Sequence, residues 1–451
     1  MKNWYFLEIL NRIKQRNFIG YTGLAIKNGI YSSASTIVEK VGGMIFVVLL
    51  ARILMPELFG LYSLALSTIL LFVSFSGVGV GQTLIRFVSK ALKKDKQSYA
   101  KAYTIYLAKV KIGCLFIIMI LLGISSKFIS QTYYNKPLFL ALIAGTLYIL
   151  VVGVLGFIQL LFQATNDFKT LFFKQIFFQA LRIVVVPVLI LLSLPHFNSE
   201  INILIIILSL GLVFFSTIVF LLIFMKKIPF LKVKARKLKR KEKKRLNKFI
   251  IILSIFGLSG LFFGYLDVVM LGGFVLSNFV GYYQVAFTLI ASAASLIFFS
   301  GVLFPIFSRL KGKRLESGLK KSVKITFVLS LIMFFFSFVF APIIIKIIYG
   351  VSYLNSIPLL RLLSFLLISM PLIFIYTSYF IAKGKIKIMT ILLVISITIN
   401  IILNYVLITW LINYSHLFAV IGVCIATIIS KYFYLFGLII SRKISLRRKN
   451  G

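Results

Sequence analysis

The chain has 451 residues, of which 61% are hydrophobic, and its 51 Lys and Arg residues against nine Asp and Glu residues give a net charge of +42. A mean hydropathy of +1.06 excludes an ordinary soluble globular protein. Nine carboxylates, two histidines and two cysteines are too few for a metal cluster, a disulfide framework or paired-carboxylate catalysis. We therefore expect no enzyme activity, no metal and no cofactor.

Twelve apolar stretches are each long enough to cross a membrane as a helix. Such a helix needs about 20 apolar residues to cross roughly 30 Å of hydrocarbon. The stretches are residues 29–51, 60–82, 102–124, 138–162, 170–193, 202–225, 249–272, 280–304, 325–347, 358–381, 387–410 and 417–440. The sequence therefore predicts an all-α polytopic membrane protein with 12 transmembrane helices, located in the cell membrane.

The basic residues alternate between the gaps that separate these stretches. Forty of the 51 fall in every second gap or in the termini, whereas the remaining gaps carry only Arg52, Lys127, Lys136, Lys346 and Arg361. Because basic loops resist translocation, this pattern places both termini and the basic gaps in the cytoplasm. The excess charge then faces anionic inner-leaflet lipids, which are expected partners, and nucleic acid is not one.

A basic stretch divides the chain almost in half. The predicted organisation is an interfacial N-terminal segment 1–28, a six-helix bundle 29–225, a basic linker 226–248, a six-helix bundle 249–440 and a basic tail 441–451. The outward gaps are short and leave no room for a large external domain. This disfavours a membrane glycosyltransferase, which needs a polar lobe for its soluble substrate.

The two halves share a short repeated phrase. The first half contains LMPELFGLYSLAL at residues 54–66, and the second contains VLSNFVGYYQVAF at residues 275–287. Gly60 matches Gly281 and Tyr62 matches Tyr283, and we expect the glycines to permit a tight turn. Since six helices per half is an even number, the halves have the same orientation. Parallel repeats of this kind place a cavity at their interface.

Four segments of the sequence have a pattern typical of one transporter family. They are LARILMPELFGLYSLAL at 50–66, GVGVG at 77–81 with LIRF at 84–87, YLDVVMLG at 265–272 and VGYYQVA at 280–286. They resemble the polysaccharide (O-antigen type) flippase family of the multidrug/oligosaccharidyl-lipid/polysaccharide exporter superfamily. The resemblance implies a two-bundle transporter of twelve to fourteen helices. It further implies that a polyprenyl-linked oligosaccharide is moved from the inner to the outer leaflet for cell-surface polysaccharide biosynthesis.

Charged residues inside the predicted spans point to an anionic cargo independently of that resemblance. The spans contain more bases than acids: Lys40, Arg86, Lys109, Lys111, Arg182 and Lys431 against Glu39 and Asp267. Each charge costs on the order of 2.5–3.5 kcal/mol at a helix centre, so each should face water or a partner. The surplus predicts a cationic central cavity that binds the phosphates of a lipid pyrophosphate.

The candidates differ in position. Arg182 and Lys431 lie deep in their spans and are the cations expected in the cavity. Lys40 is favoured over its neighbour Glu39, because adjacent helical residues diverge. Arg52, at the outer end of the first span, fits either cargo contact or interfacial anchoring.

Three cations sit towards cytoplasmic helix ends, where long side chains can instead reach the headgroups. These are Arg86, Lys109 and Lys111. The two acids, Asp267 and Glu39, fit either ion coupling or a structural ion pair.

The predicted function is that of a flippase working by alternating access. One alternative is a multidrug or cation antiporter of the same superfamily, although such a site should carry excess acid. Another is a membrane scaffold that organises a polysaccharide assembly complex, with other membrane proteins of that complex as partners.

Overall fold

The computed structural model describes residues 20–77, 79–297 and 312–450, and every regular element in these ranges is a helix. The helices of eight or more residues are α1 Gly20–Gly77, α2 Val80–Lys93, α3 Gln97–Lys127, α4 Phe139–Ala164, α5 Phe168–Ser193, α6 Ser199–Met225, α7 Arg240–Gly272, α8 Ser277–Ile297, α9 Gly312–Val339, α10 Ala341–Ile348, α11 Ser356–Leu363, α12 Leu366–Ala382, α13 Ile386–Leu411 and α14 His416–Asn450. Most of the predicted interfacial segment 1–28, and residues 298–304 of the eighth predicted span, lie outside the described ranges.

Ten helical segments in the described ranges are long and apolar enough to cross a membrane, which confirms a multi-pass, all-helical membrane protein. The first segment, Ile26–Ser76, is 51 residues long and contains almost all of the first two predicted spans. Helix α7 contains the seventh predicted span but is not among the ten. The number of twelve spans therefore stays a prediction.

Helix α1 is broken at one residue, where the sequence predicted a gap at 52–59. Met55 has φ 57° and ψ 171°, and the helix resumes at Pro56. A proline pushes the preceding residue out of the helical region, yet fits the first turn of a new helix. The first connection is thus a sharp break of one residue instead of a loop.

The connections define two ends of the molecule. We call one the turn end, which carries Met55 and the loops 134–138, 194–198, 273–276 and 412–415. We call the other the basic end, which carries the loops 94–96, 165–167, 226–239 and 383–385.

Three clusters of buried apolar side chains show how the halves pack. The largest includes Phe59 of α1 and Tyr283 of α8 and joins both halves at the turn end and along the middle of the helices. At the basic end there are two smaller clusters, one around Leu84 of the first half and one around Leu319 of the second. The cluster around Leu84 also takes in Ile250 at the start of α7, so the described parts of the two halves stay in contact there as well.

The repeated glycines contact the opposite half instead of forming a turn. Gly60 lies within α1 and Gly281 within α8, and neither has a positive φ. A Cβ on Gly60 would lie 1.7 Å from the Ser277 carbonyl oxygen, and one on Gly281 would lie 2.3 Å from the Pro56 carbonyl oxygen. The two glycines therefore let α1 and α8 approach until their backbones touch.

Candidate functional site

A cavity of about 610 Å³ lies in the half of the molecule nearest the basic end. Its walls come mainly from the first part of α1, the end of α4 and the first part of α5. Helix α6 adds Phe214, and α8, from the second half of the chain, adds Thr288 and Ser292. The size falls within the range of about 300–1,000 Å³ that is typical of small-molecule sites.

Four charged residues of the described part of the chain line the cavity, and three of them are basic. The cations are Lys40, Lys174 and Arg182, and the acid is Glu39. The surplus is therefore two positive charges, in a cavity enclosed by apolar helices. Low-dielectric walls strengthen the attraction of such a cavity for anions.

Arg182 reaches this cavity from the middle of α5. Its guanidinium carbon lies 4.4 Å from the ring centre of Phe46 and 5.2 Å from that of Phe178. Its Nε and Nη2 atoms are buried and have no hydrogen-bond partner among the residues that the structure describes. Two stacked rings thus fix the guanidinium while two of its donor atoms stay free for a ligand.

Lys174 lies two turns before Arg182 on the same helix and is also buried. Its Nζ donates to Gln175 Oε1 at 2.8 Å, a neutral acceptor. The separation of eight residues corresponds to about 12 Å along the helix axis. Because both side chains are long, the two cations can converge on one phosphate-bearing group from opposite sides.

Glu39 and Lys40 form an ion pair, contrary to the expectation that adjacent residues diverge. Lys40 Nζ lies 3.8 Å from Glu39 Oε1, and the side chains are 44% and 56% exposed. Both line the cavity near its basic end. An exposed pair of this length contributes little to stability, so Lys40 is available to a stronger anion.

Three further predicted cations lie outside the cavity lining. The buried Lys111 donates from Nζ to the Ser76 carbonyl oxygen at 3.0 Å, close to the end of α1. Arg86 stacks on Phe249, 4.5 Å from its ring centre, and Lys109 is exposed on α3. Their assignment to the cargo site stays a prediction that this conformation does not support.

Two basic residues of the outward gaps instead cap helices across the turn end. Arg52 Nε donates to the Ile348 carbonyl oxygen at 2.7 Å, at the C-terminus of α10. Lys136 Nζ donates to the Gly272 carbonyl oxygen at 2.7 Å, at the C-terminus of α7, and burial lowers the pKa of this lysine. Cations stabilise the unpaired carbonyls and negative dipole at helix C-termini. Both contacts join the first half to the second.

Asp267 forms a separate buried cluster in the second half. Its carboxylate accepts hydrogen bonds from Tyr283 Oη at 2.8 Å, Asn404 Nδ2 at 2.7 Å and Thr427 Oγ1 at 2.7 Å. These donors come from α8, α13 and α14. Lys431 lies one turn beyond Thr427 on α14 and is not part of the cavity lining.

Sequence reasoning missed Lys174 and the amides of the cavity. Lys174 was counted with the basic gap 163–174, although Lys174, Phe178 and Arg182 recur at four-residue spacing on one helix face. The cavity amides are Gln159, Gln163, Gln175 and Gln179, again in pairs four residues apart. This spacing within apolar helices was the available signal.

A family model described as polysaccharide biosynthesis protein matches residues 25–311. An uncharacterized membrane protein of Methanocaldococcus jannaschii is 26% identical over 383 residues, which cover 82% of this chain and 74% of the relative.

Solved transporter structures share the fold. Lipid II flippase MurJ in an inward closed conformation aligns with a TM-score of 0.67 and 15% identity, covering 92% of this chain and 87% of that one. An inward-facing multidrug resistance MATE transporter of the MOP superfamily gives 0.59 at 16% identity, covering 98% and 99%. A MOP superfamily transporter from Pyrococcus furiosus, described as having a binding pocket of reverse polarity, gives 0.59 at 14% identity, covering 92% and 94%. At these identities the likeness concerns the fold alone.

Proposed function

Because the chain belongs to the family of polysaccharide biosynthesis proteins, we propose that it is a flippase for a polyprenyl phosphate or pyrophosphate that carries an oligosaccharide. The observation that carries the proposal is Arg182, which lines a cavity with a surplus of positive charge and has two buried donor atoms without a partner in the described part of the chain. Phosphate oxygens are strong acceptors for a guanidinium and can bind it through two hydrogen bonds.

In this proposal the phosphates bind near Arg182 and Lys174. Lys40 leaves its ion pair with Glu39 and binds the phosphates of the cargo instead. The prenyl chain stays in the bilayer while the headgroup crosses between the two bundles, 29–225 and 249–440, by alternating access. An inside-negative potential favours the outward movement of an anion by about 2.3 kcal/mol per charge per 100 mV. No hydrolysis of a nucleotide by this chain is required.

The proposed topology has twelve spans with both termini in the cytoplasm. The basic linker 226–248 then lies against anionic inner-leaflet lipids, because its Lys and Arg side chains are mostly exposed at the basic end. Activity in vesicles that contain anionic lipid should exceed activity in neutral vesicles, and equal activity would remove this lipid contact from the proposal.

The experiment compares Arg182→Gln with Arg182→Lys in reconstituted vesicles. A fluorescent polyprenyl pyrophosphate sugar is placed in one leaflet, and its arrival in the other is followed with a membrane-impermeant quencher. We expect Arg182→Gln to abolish flipping and Arg182→Lys to retain a fraction of it, because lysine keeps the charge but loses the bidentate geometry. Arg314→Gln, which removes an exposed arginine outside the cavity, is the control. Normal flipping by Arg182→Gln would contradict the proposed role of Arg182.

Asp267 is the proposed coupling acid, because its carboxylate is buried and shared by three helices. The same vesicles, with an imposed sodium or proton gradient, test this role. If Asp267 couples transport to an ion, the rate of flipping by the wild type should respond to the gradient, and the rate of flipping by Asp267→Asn should not. An unchanged response in Asp267→Asn would make the acid a structural element only.

The multidrug or cation antiporter remains the second candidate, because MATE transporters share the fold. Three bases against one acid in the cavity oppose the binding of an organic cation. Uptake of such a cation by the same vesicles, without flipping of the anionic lipid, would favour the antiporter.

A further inference from the structure

The cavity contains a set of neutral amides that phosphate binding does not use. Gln159 and Gln163 lie one turn apart on α4, and both line the cavity. Their side chains are half-buried and have no hydrogen-bond partner among the described residues. Gln175 and Gln179 face them from α5, and both are almost fully buried.

These amides require a ligand that both donates and accepts hydrogen bonds. An amide presents an acceptor oxygen and two N–H donors. Gln175 Oε1 already accepts from Lys174. A phosphate can only accept, so it supplies no donor to the other three amide oxygens. Gln179 shows the consequence, since its Nε2 donates to the Glu39 carbonyl oxygen at 3.0 Å while its Oε1 is buried without a donor in the described part of the chain. Sugar hydroxyls supply donors and acceptors together, and an unpaired buried polar group is costly.

The amides also lie at a different depth from the deepest cation. Gln163 is next to the C-terminal residue of α4 at the basic end, and Gln159 lies one turn deeper. Arg182 lies 14 residues into α5, roughly 21 Å along its axis. A headgroup whose phosphate binds Arg182 therefore places its attached sugar towards Gln159 and Gln163. The ring of Phe168 lines the same end of the cavity and offers an apolar face to the C–H side of a sugar.

We propose that Gln159 and Gln163 are specificity-determining residues that bind the first sugar attached to the phosphate, a neutral and hydroxyl-bearing ring. The inference rests on the proposed function, since it assigns the sugar-facing part of the same cavity. The side chains of Gln159 and Gln163 are both uncharged, so they provide hydrogen bonds but no counter-charge for an acidic sugar at this position.

The test measures the binding of two lipids to the full-length protein in vesicles. One probe is a bare polyprenyl pyrophosphate, and the other carries a single neutral N-acetylhexosamine. The variants are Gln159→Met and Gln163→Met, which keep the length of the side chain but remove its hydrogen bonds. Gln82→Met, which changes an exposed glutamine of α2 outside the cavity, is the matched control. Thermal unfolding of each variant verifies that it is folded.

We expect each cavity variant to bind the sugar-bearing lipid about tenfold more weakly, which is the effect of losing roughly one neutral hydrogen bond. The binding of the bare lipid to the cavity variants should not change, and neither should the binding of either lipid to Gln82→Met. Equal weakening of both lipids, or no weakening of either, would overturn the sugar subsite and leave the flippase proposal standing. Failure of the wild type to bind either lipid would overturn the proposed function and this inference with it.

Discussion

The carboxylate of Asp267 is held by neutral donors on three other helices. Tyr283, Asn404 and Thr427 each direct one donor at it, so the charge is shared over hydrogen bonds from three helices. Hydrogen bonds to a charged group are worth about 1.5–3 kcal/mol each. The cluster therefore links the packing of the second half to the charge state of one residue.

Tyr283→Phe removes one of these donors without changing the shape of the ring. We expect it to lower the free energy of unfolding by about 1.5–3 kcal/mol, because the buried carboxylate loses a charged hydrogen bond. The adjacent Tyr282→Phe is the control, since Tyr282 is also buried but has ring contacts in place of a hydroxyl partner. Unfolding midpoints in detergent compare the two, and equal midpoints would contradict the importance of the hydrogen bond.

The sequence identified the buried charges but not their partners. Asp267 and Arg182 stand out as ions within apolar spans, and this much follows from composition and position. Asn404 and Thr427 lie 137 and 160 residues after Asp267, and nothing local links them to it. Likewise, no sequence feature distinguishes Phe46 and Phe178 from the many other phenylalanines. The packing of α1 on α5 is what places them around Arg182.

At the level of helices, the contact between α1 and α8 is the tightest packing between the two halves. Glycine is required where the two backbones touch, because a Cβ at either repeated position would overlap a carbonyl oxygen. The sequence repeat matched Gly60 with Gly281. It assigned both to turns, because a contact between distant helices leaves no local signal in the sequence.

Gly60→Ala should therefore destabilise the closed turn end. A backbone oxygen cannot move aside as a side chain can, and overpacking of this kind costs about 1–3 kcal/mol. Gly211→Ala is the control, because a Cβ on Gly211 of α6 meets nothing within 4 Å and alanine is the better helix former. Thermal unfolding should show a lower midpoint for Gly60→Ala alone. A midpoint equal to that of Gly211→Ala would contradict the close contact.

Across the whole molecule, the closure at the turn end and the cavity near the basic end belong to one conformation, which is closed at the turn end and hollow towards the basic end. Arg52 and Lys136 bridge the halves at the turn end by capping α10 and α7, and Tyr353 adds a hydrogen bond from its hydroxyl to the Ala51 carbonyl oxygen at 2.8 Å. Charge alternation predicted which end faces outward. It did not predict that cations of the outward gaps hold that end shut.

Replacing both bridging cations, as Arg52→Gln with Lys136→Gln, should shift the protein towards opening at the turn end. The measurement is labelling of a Ser277→Cys reporter by a membrane-impermeant thiol reagent, since Ser277 lies at the contact with Gly60. We expect faster labelling than in the reporter protein with Arg52 and Lys136 intact. The same proteins without the reporter give the background from Cys114 and Cys424. An unchanged rate would show that the two caps do not control access.

In the described part of the protein, the wall of the cavity comes almost wholly from the first half of the chain. Among these residues only Thr288 and Ser292 represent the second half there, whereas the buried acid Asp267 belongs to that second half. Within the described residues the two halves thus contribute differently, the first with the basic wall of the cavity and the second with a buried acid. A protein built from two copies of the first half would lack Asp267 and the three donors that hold it, so the halves are not interchangeable.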